Sequence, residues 1–106
     1  MNSQNPNFKI ISVESLEDFN HLIDFLNKNK DNPNDLIVDI KSESWQIFNL
    51  NKIHHYNIIW KKENKSFILV SSIMKMNKKD AQDIVLIRSL EEAIDYLHME
   101  ELIRKT

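Results

Sequence analysis

The chain has no glycine in its 106 residues, and this absence restricts both its turns and its chemistry. Glycine adopts positive φ at no steric cost and lets the backbone approach a phosphate closely. A P-loop and a dinucleotide-binding fingerprint both need glycines at fixed positions, so both are excluded. The turns are expected to use asparagine, aspartate and proline instead. Asparagines stand at the predicted turn positions Asn27, Asn29, Asn32, Asn34, Asn64 and Asn77.

Length and composition indicate one small globular domain spanning residues 1–106. There is no cysteine, which excludes disulfides, thiolate metal sites and cysteine nucleophiles. The longest apolar runs, such as 84–87, are far shorter than the roughly 20 residues of a membrane span. The segment 1–7 is polar and lacks the pattern of a secretory signal. We therefore expect a soluble, cytoplasmic protein without a membrane partner.

Apolar runs and helix-start signals alternate along the chain. Two capping boxes, Ser15-Leu16-Glu17-Asp18 and Ser89-Leu90-Glu91-Glu92, predict helix starts. Strands are predicted at 8–13, 36–40, 66–70 and 84–87, and helices from 15 to about 30, from 45 to 60 and from 89 to about 104. This order predicts an α/β domain with a mixed or mostly parallel sheet of about four strands and three or so helices.

Helical spacing also predicts which side chains face the core. The expected inner residues are Leu16, Phe19, Leu22, Ile23 and Leu26 in the first helix, Ile47, Leu50, Ile53, Tyr56 or Asn57, and Trp60 in the second, and Leu90, Ala93, Ile94, Leu97 and Leu102 in the last.

The candidate chemical groups favour no enzyme. His54 and His55 are adjacent, so on a helix they point about 100° apart and cannot chelate one metal ion as an i, i+4 pair can. His21 and His98 are isolated, and Asp95, Glu100 and Glu101 are expected on solvated helix surface. No serine has the flanking glycines of a nucleophile elbow. We expect no catalytic residue, no metal site and no cofactor.

Ser42 and Ser44 lie between a predicted strand and a predicted helix. A serine there is first of all an N-cap, and a phosphate added to it would be stabilised by the free N–H groups and the helix dipole. Both interpretations, cap and phospho-acceptor, stay open. Trp45 and Trp60 stand at the two ends of the predicted second helix, so either could pack on the sheet margin or meet a partner.

The net charge is only −2, but the charges are unevenly placed. Lysines cluster at Lys61, Lys62, Lys65, Lys75, Lys78 and Lys79, and acids cluster in the last helix. Such clusters are solvated faces or surfaces that meet a partner of opposite charge.

The order of elements, with 36–40 (LIVDI), 66–70 (SFILV) and a last helix opened by 89–93 (SLEEA), is similar to the STAS domain. That fold occurs in anti-sigma factor antagonists and in the cytoplasmic tails of sulfate transporters. The segments 65–70 and 89–104 also resemble a group of small Bacteroidetes proteins, some of which carry the label ribonuclease Z. This chain lacks the HxHxDH motif of that enzyme class. It also has 41–45 (KSESW) where the STAS signature has aspartate-serine-serine-glycine.

The resemblance implies a non-catalytic protein-interaction module in bacterial signalling or transcription regulation, with an anti-sigma-type kinase or another signalling protein as partner. It makes Ser44, and next Ser42, the candidate phospho-acceptor. The expected partner surface comprises Trp45, Lys61, Lys62 and Lys65. The alternative, from a different class, is a nucleic-acid-associated or RNA-processing factor that uses the basic cluster from Lys61 to Lys79.

Overall fold

The computed structural model describes residues 8–41, 49–74 and 83–105. In these ranges the elements are β1 (Phe8–Val13), α1 (Leu16–Asn29), β2 (Asp35–Ile40), α2 (Leu50–Lys62), β3 (Phe67–Val70), β4 (Val85–Ile87) and α3 (Leu90–Lys105). The predicted alternation of strands and helices is confirmed for this part of the chain.

The four described strands form one sheet in the order β1-β2-β3-β4, and each neighbouring pair is parallel. The α/β class is therefore confirmed, whereas a mixed sheet is wrong for these strands. Helical crossovers α1 and α2 return the chain to the same edge before the next strand begins, which makes consecutive strands parallel. The central strands β2 and β3 are buried along their whole length, as expected for uninterrupted apolar runs in a parallel sheet.

Each face of the sheet has its own apolar core. Alternate residues of β2 and β3 point to opposite faces, so Leu36, Val38 and Leu69 join α1 and α2, and Ile37 and Ile68 join α3. The larger core contains Trp60, which is fully buried, donates from Nε1 to the Asn34 carbonyl at 2.8 Å and packs edge-on against Phe67. Trp60 is thus a core residue and offers no surface to a partner.

Both predicted capping boxes start helices. Ser15 Oγ accepts a hydrogen bond from the Asp18 N–H at 3.1 Å. Ser89 Oγ accepts from the Glu92 N–H at 3.2 Å and donates to Glu92 Oε1 at 2.9 Å. These side chains satisfy N–H groups that the first turn of a helix leaves unpaired.

Four sequence-based details are wrong. Asn27 and Asn29, predicted to lie in turns, are helical, because α1 continues to Asn29. Helix α2 begins at Leu50, not Trp45, because Asn49 is extended (φ −97°, ψ 98°) and caps the helix by accepting from the Lys52 N–H. Leu16 is 58% exposed, and it is the first residue of α1. Leu102 is 64% exposed because five helical residues rotate it about 140° from buried Leu97.

The end of α2 shows how a glycine-free chain turns. The Asn64 N–H donates to the Lys61 carbonyl at 2.9 Å, and the Lys65 N–H donates to the Trp60 carbonyl at 3.0 Å. This is a Schellman motif, which needs a left-handed residue just after the helix. Asn64 takes that position with φ of 59°, and it is the one residue with positive φ in the described ranges. The predicted use of asparagine in a turn is confirmed here.

Replacing Asn64 tests this turn. We expect Asn64→Ala to lower the free energy of unfolding by about 1 kcal/mol, because a Cβ without a compensating polar group is disfavoured in the left-handed region. Asn64→Gly is the matched control and should stay within about 0.5 kcal/mol of the parent chain. Urea unfolding midpoints at unchanged m-value measure both variants. Equal losses in the two would contradict the assignment.

Candidate interaction surface

A buried carboxylate organises the amino end of the sheet. Asp35, the first residue of β2, is 6% exposed. Its Oδ1 accepts from the Ser66 N–H at 2.7 Å and from Arg104 Nη1 at 2.9 Å, and its Oδ2 accepts from Arg104 Nη2 at 2.9 Å. Arg104 Nη1 also donates to the Asn64 carbonyl at 2.9 Å. A bidentate guanidinium–carboxylate pair is among the strongest polar contacts in proteins and fixes the orientation of both groups.

Glu100 extends this arrangement by one helical turn. Its Oε1 accepts a hydrogen bond from Ser66 Oγ at 2.6 Å. The sequence pattern places Glu100 on solvated surface, which is wrong, since its carboxylate is held against the start of β3. Asp35, Ser66, Glu100 and Arg104, here called the Asp35 network, fasten the last two turns of α3 to β2 and β3.

The pKa of Asp35 reflects these contacts. Burial by itself raises the pKa of this carboxyl group. The hydrogen bonds from Arg104 and Ser66 and the positive charges of Arg104 and Lys65 together outweigh burial, and the pKa lies below its usual value of 3.8. Asp35 is therefore ionised in the folded chain at neutral pH.

Three of the sequence-predicted partner residues come together beside this network. Lys61 and Lys62 are exposed in the last turn of α2, and Lys65 is half-buried just before β3. Lysines in the last turn offset the negative end of a helix dipole. Glu63 and Glu101 lie at the same end, so the described edge carries both signs of charge. Lys75, Lys78 and Lys79 lie outside the described residues.

A small open cavity of about 240 Å³ lies between the ends of α2 and α3. Of its lining residues, Phe67, Val85 and Ile103, here called the floor, are apolar, and Lys61, Lys65, Glu100 and Arg104, here called the rim, are charged. Its complete lining is Lys61, Asn64, Lys65, Ser66, Phe67, Val85, Glu100, Ile103 and Arg104. Small-molecule sites usually enclose about 300–1,000 Å³, so this cavity suits one inserted side chain better than a cofactor.

The outer side of α3 is apolar near its end. Met99 is 61% exposed, Leu102 64% and Ile103 68%, and their i, i+3, i+4 spacing makes them neighbours on the helix. We call these three residues the α3 patch. Ile103 belongs to both the patch and the cavity, which makes one continuous surface. The sequence pattern gives no hint of the patch beyond Leu102, which it wrongly assigns to the inner face.

The remaining predicted site residues, Ser42, Ser44 and Trp45, lie outside the described residues. Lys41, just before them, lies at the carboxyl end of β2, where its Nζ pairs with Asp39 Oδ2 at 2.9 Å. Lys61 and Lys62 lie at the other end of the sheet, after the 13 residues of α2. A helix of that length spans about 20 Å, so the described lysines do not cluster at the carboxyl end.

The four histidines are not grouped on one surface. His54 is half-buried at the core edge, and His55, His21 and His98 are exposed. In the described part of the chain, no three His, Cys, Asp or Glu side chains are grouped so that they could hold a metal ion.

Helix α2 contains a buried polar side chain that makes no hydrogen bond within the described residues. Asn57 is fully buried, and neither its Nδ2 nor its Oδ1 has a hydrogen-bond partner in the described part of the chain. Nδ1 of His54, one turn earlier, is in the same condition. Unpaired buried polar atoms lower stability, because they lose their bonds to water without replacement.

Comparison with known proteins gives no relative. No protein-family model, no curated protein and no solved structure matches this chain. Within residues 8–41, 49–74 and 83–105, no helix is both long and apolar enough to cross a membrane.

The Asp35 network makes stability depend on pH. The contribution of Asp35 is fully present above its usual pKa of 3.8 and is lost as the pH falls through the lower folded-state pKa. At pH 7 we expect Asp35→Asn to lower the free energy of unfolding by about 3 kcal/mol, because Arg104 loses its counter-charge in a largely buried site. Denaturant titrations from pH 7 to pH 2 should show this difference shrinking as the pH drops. A difference that stays constant with pH would contradict the role of the charge.

Asn57→Leu should stabilise the chain. Leucine has a similar volume and removes both unpaired polar atoms, so we expect the free energy of unfolding to rise by about 1–3 kcal/mol. Asn57→Ala is the control, since it removes the same atoms but leaves a cavity and should gain less. Thermal and urea unfolding of the three chains measures the order. A lower midpoint for Asn57→Leu than for the parent would contradict the prediction.

Proposed function

We propose that this chain is a non-catalytic, STAS-like protein-interaction module of bacterial signalling or transcription regulation, working in the cytoplasm. The observation that carries the proposal is the α3 patch, with its three large apolar side chains more than 60% exposed on one helix face. Clustered exposed apolar residues, in contrast to scattered ones, mark interaction sites.

The α3 patch lies on a helix whose end is held to the sheet by hydrogen bonds. Arg104 and Glu100 hold the same two turns of α3 against β2 and β3 on the inner side. A binding surface on a secured helix loses little conformational freedom when a partner binds, which favours affinity.

The polar groups nearby favour binding over catalysis. The Asp35 carboxylate accepts hydrogen bonds from Arg104 and from the Ser66 N–H, and the Glu100 carboxylate accepts one from Ser66 Oγ. Groups engaged in this way hold the fold together, and general acid–base catalysis would need a group within reach of a substrate proton.

The STAS-like part of the proposal is supported by the order of elements and by the final helix that starts at Ser89. By this resemblance the partner is an anti-sigma-type kinase or another signalling protein, and Ser44 or Ser42 is the candidate phospho-acceptor. The described lysines share their edge with Glu63, Glu100 and Glu101. A nucleic-acid backbone would favour a more uniformly positive surface, so we place protein binding ahead of RNA binding.

Charge introduced into the patch tests the proposal. We expect Met99→Glu to reduce the capture of specific proteins from native lysate more than tenfold, because a carboxylate would be buried against apolar partner atoms. Ile58→Glu is the matched control, since Ile58 is a 42% exposed isoleucine on α2 and its replacement should leave capture unchanged. Quantitative mass spectrometry compares the two with the parent chain and with Ser44→Asp.

Capture that is the same for the parent, Met99→Glu and Leu102→Glu would contradict the assigned surface. RNA binding that weakens steeply with salt and with Lys61→Glu would favour the nucleic-acid function.

A further inference from the structure

The cavity and the α3 patch share Ile103, and their chemistry changes from one end of this surface to the other. Met99 and Leu102 make the patch end apolar, and the cavity end has an apolar floor under a polar rim. A partner that covers both must therefore combine apolar side chains with a polar or charged group. The following inference rests on the proposed function and concerns the chemistry of its partner.

The charges on the cavity rim are not equivalent. Arg104 is neutralised by the bidentate contact with Asp35, and the Glu100 carboxylate accepts from Ser66 Oγ. Lys61 and Lys65 also line the cavity, and neither forms an ion pair with a described residue. The rim therefore carries two ammonium groups without an ion pair to a described residue: Lys61 is exposed, and Lys65 is half-buried near Asp35.

We propose that this surface binds an acidic, amphipathic segment of a partner protein. One large apolar side chain of the segment enters the cavity over Phe67 and Val85, and a carboxylate close to it in sequence pairs with Lys61 and Lys65. Further apolar side chains of the segment lie on Met99 and Leu102.

The apolar contact in the cavity supplies affinity, and the charged contacts supply selectivity. A cavity of about 240 Å³ has room for one leucine- or phenylalanine-sized side chain, which is how a peptide anchors in a groove. Exposed lysine–carboxylate pairs add little affinity themselves, because water and salt screen them. Their role is selection, since they admit an acidic segment and reject a basic one with the same apolar residues.

Selection from a displayed library of random twelve-residue peptides tests the partner's chemistry directly, with the library itself as the probe. We expect the enriched peptides to carry a net negative charge and at least one large apolar residue near an acid. Their affinity for the parent chain should fall at least fivefold between low and physiological salt. Enrichment of neutral or basic peptides, or of none, would overturn the proposal.

Charge exchange locates the contact. An enriched peptide should bind Lys61→Glu at least tenfold more weakly, and a version of the peptide with lysine in place of its acid should recover binding to Lys61→Glu. Lys65→Gln is the second variant, chosen because it removes a charge without placing a new one near Asp35. Lys52 is an exposed lysine in the first turn of α2, so Lys52→Glu is the matched control and should bind like the parent. Peptide affinity that is unchanged by Lys61→Glu and by Lys65→Gln would contradict the proposed binding site.

The outcomes separate this inference from the proposed function. If peptides bind through Met99 but show no preference for acids, the interaction surface survives and the acidic partner does not. If Met99→Glu changes neither peptide binding nor protein capture, both fail. A second copy of this chain is the remaining candidate for this surface, and sedimentation equilibrium tests it. Self-association of the parent that Ile103→Glu abolishes would overturn the proposal.

Discussion

The carboxylate of Asp35 is the group on which the arrangement of the amino end depends. It accepts hydrogen bonds from Ser66 and Arg104, and Arg104 also donates to the Asn64 carbonyl, just after α2. A carboxylate at 6% exposure is stable only with such partners, because its lost hydration must be replaced. The start of β2, the start of β3, the end of α2 and the end of α3 are therefore positioned together. The candidate interaction surface lies on those same segments, so the network that stabilises the fold also sets the geometry of the site.

The absence of glycine acts at the same place. Helix α2 must end and the chain must turn directly into β3, which requires one left-handed residue. Asn64 supplies it, and its carbonyl then faces the guanidinium of Arg104. The turn thus places Lys61 and Lys65 on the cavity rim and completes the Asp35 network with a backbone acceptor. Asparagine replaces glycine here because this turn needs positive φ but no close approach of another backbone or a phosphate.

The parts of the fold that the sequence predicts are those with local causes. The Ser15 and Ser89 caps and the left-handed asparagine depend on neighbours within a few residues, and the two buried central strands are uninterrupted apolar runs in the sequence. The start of α2 is predicted wrongly because apolar spacing continues across Asn49, which is the N-cap at which the helix begins. The site is less predictable than the fold. Asp35 and Arg104 are 69 residues apart, and no period or motif connects them. The lysines were recognisable as a cluster, but their apolar counterpart on α3 was not.

The error at Leu102 has a cause that also bears on function. A helix that packs only on the sheet keeps its apolar residues on one side, and its periodicity then shows which side. Helix α3 has Ala93 and Leu97 on the inner side and Met99, Leu102 and Ile103 on the outer side, so the two sets cancel in any periodic pattern. The first turns of the same helix have acids facing solvent, as a one-sided helix should. Because both halves belong to one helix on one sheet, packing on the sheet does not explain the apolar outer residues of the second half. The proposed partner contact at that half would account for them, and it would lie beside the lysines that end α2.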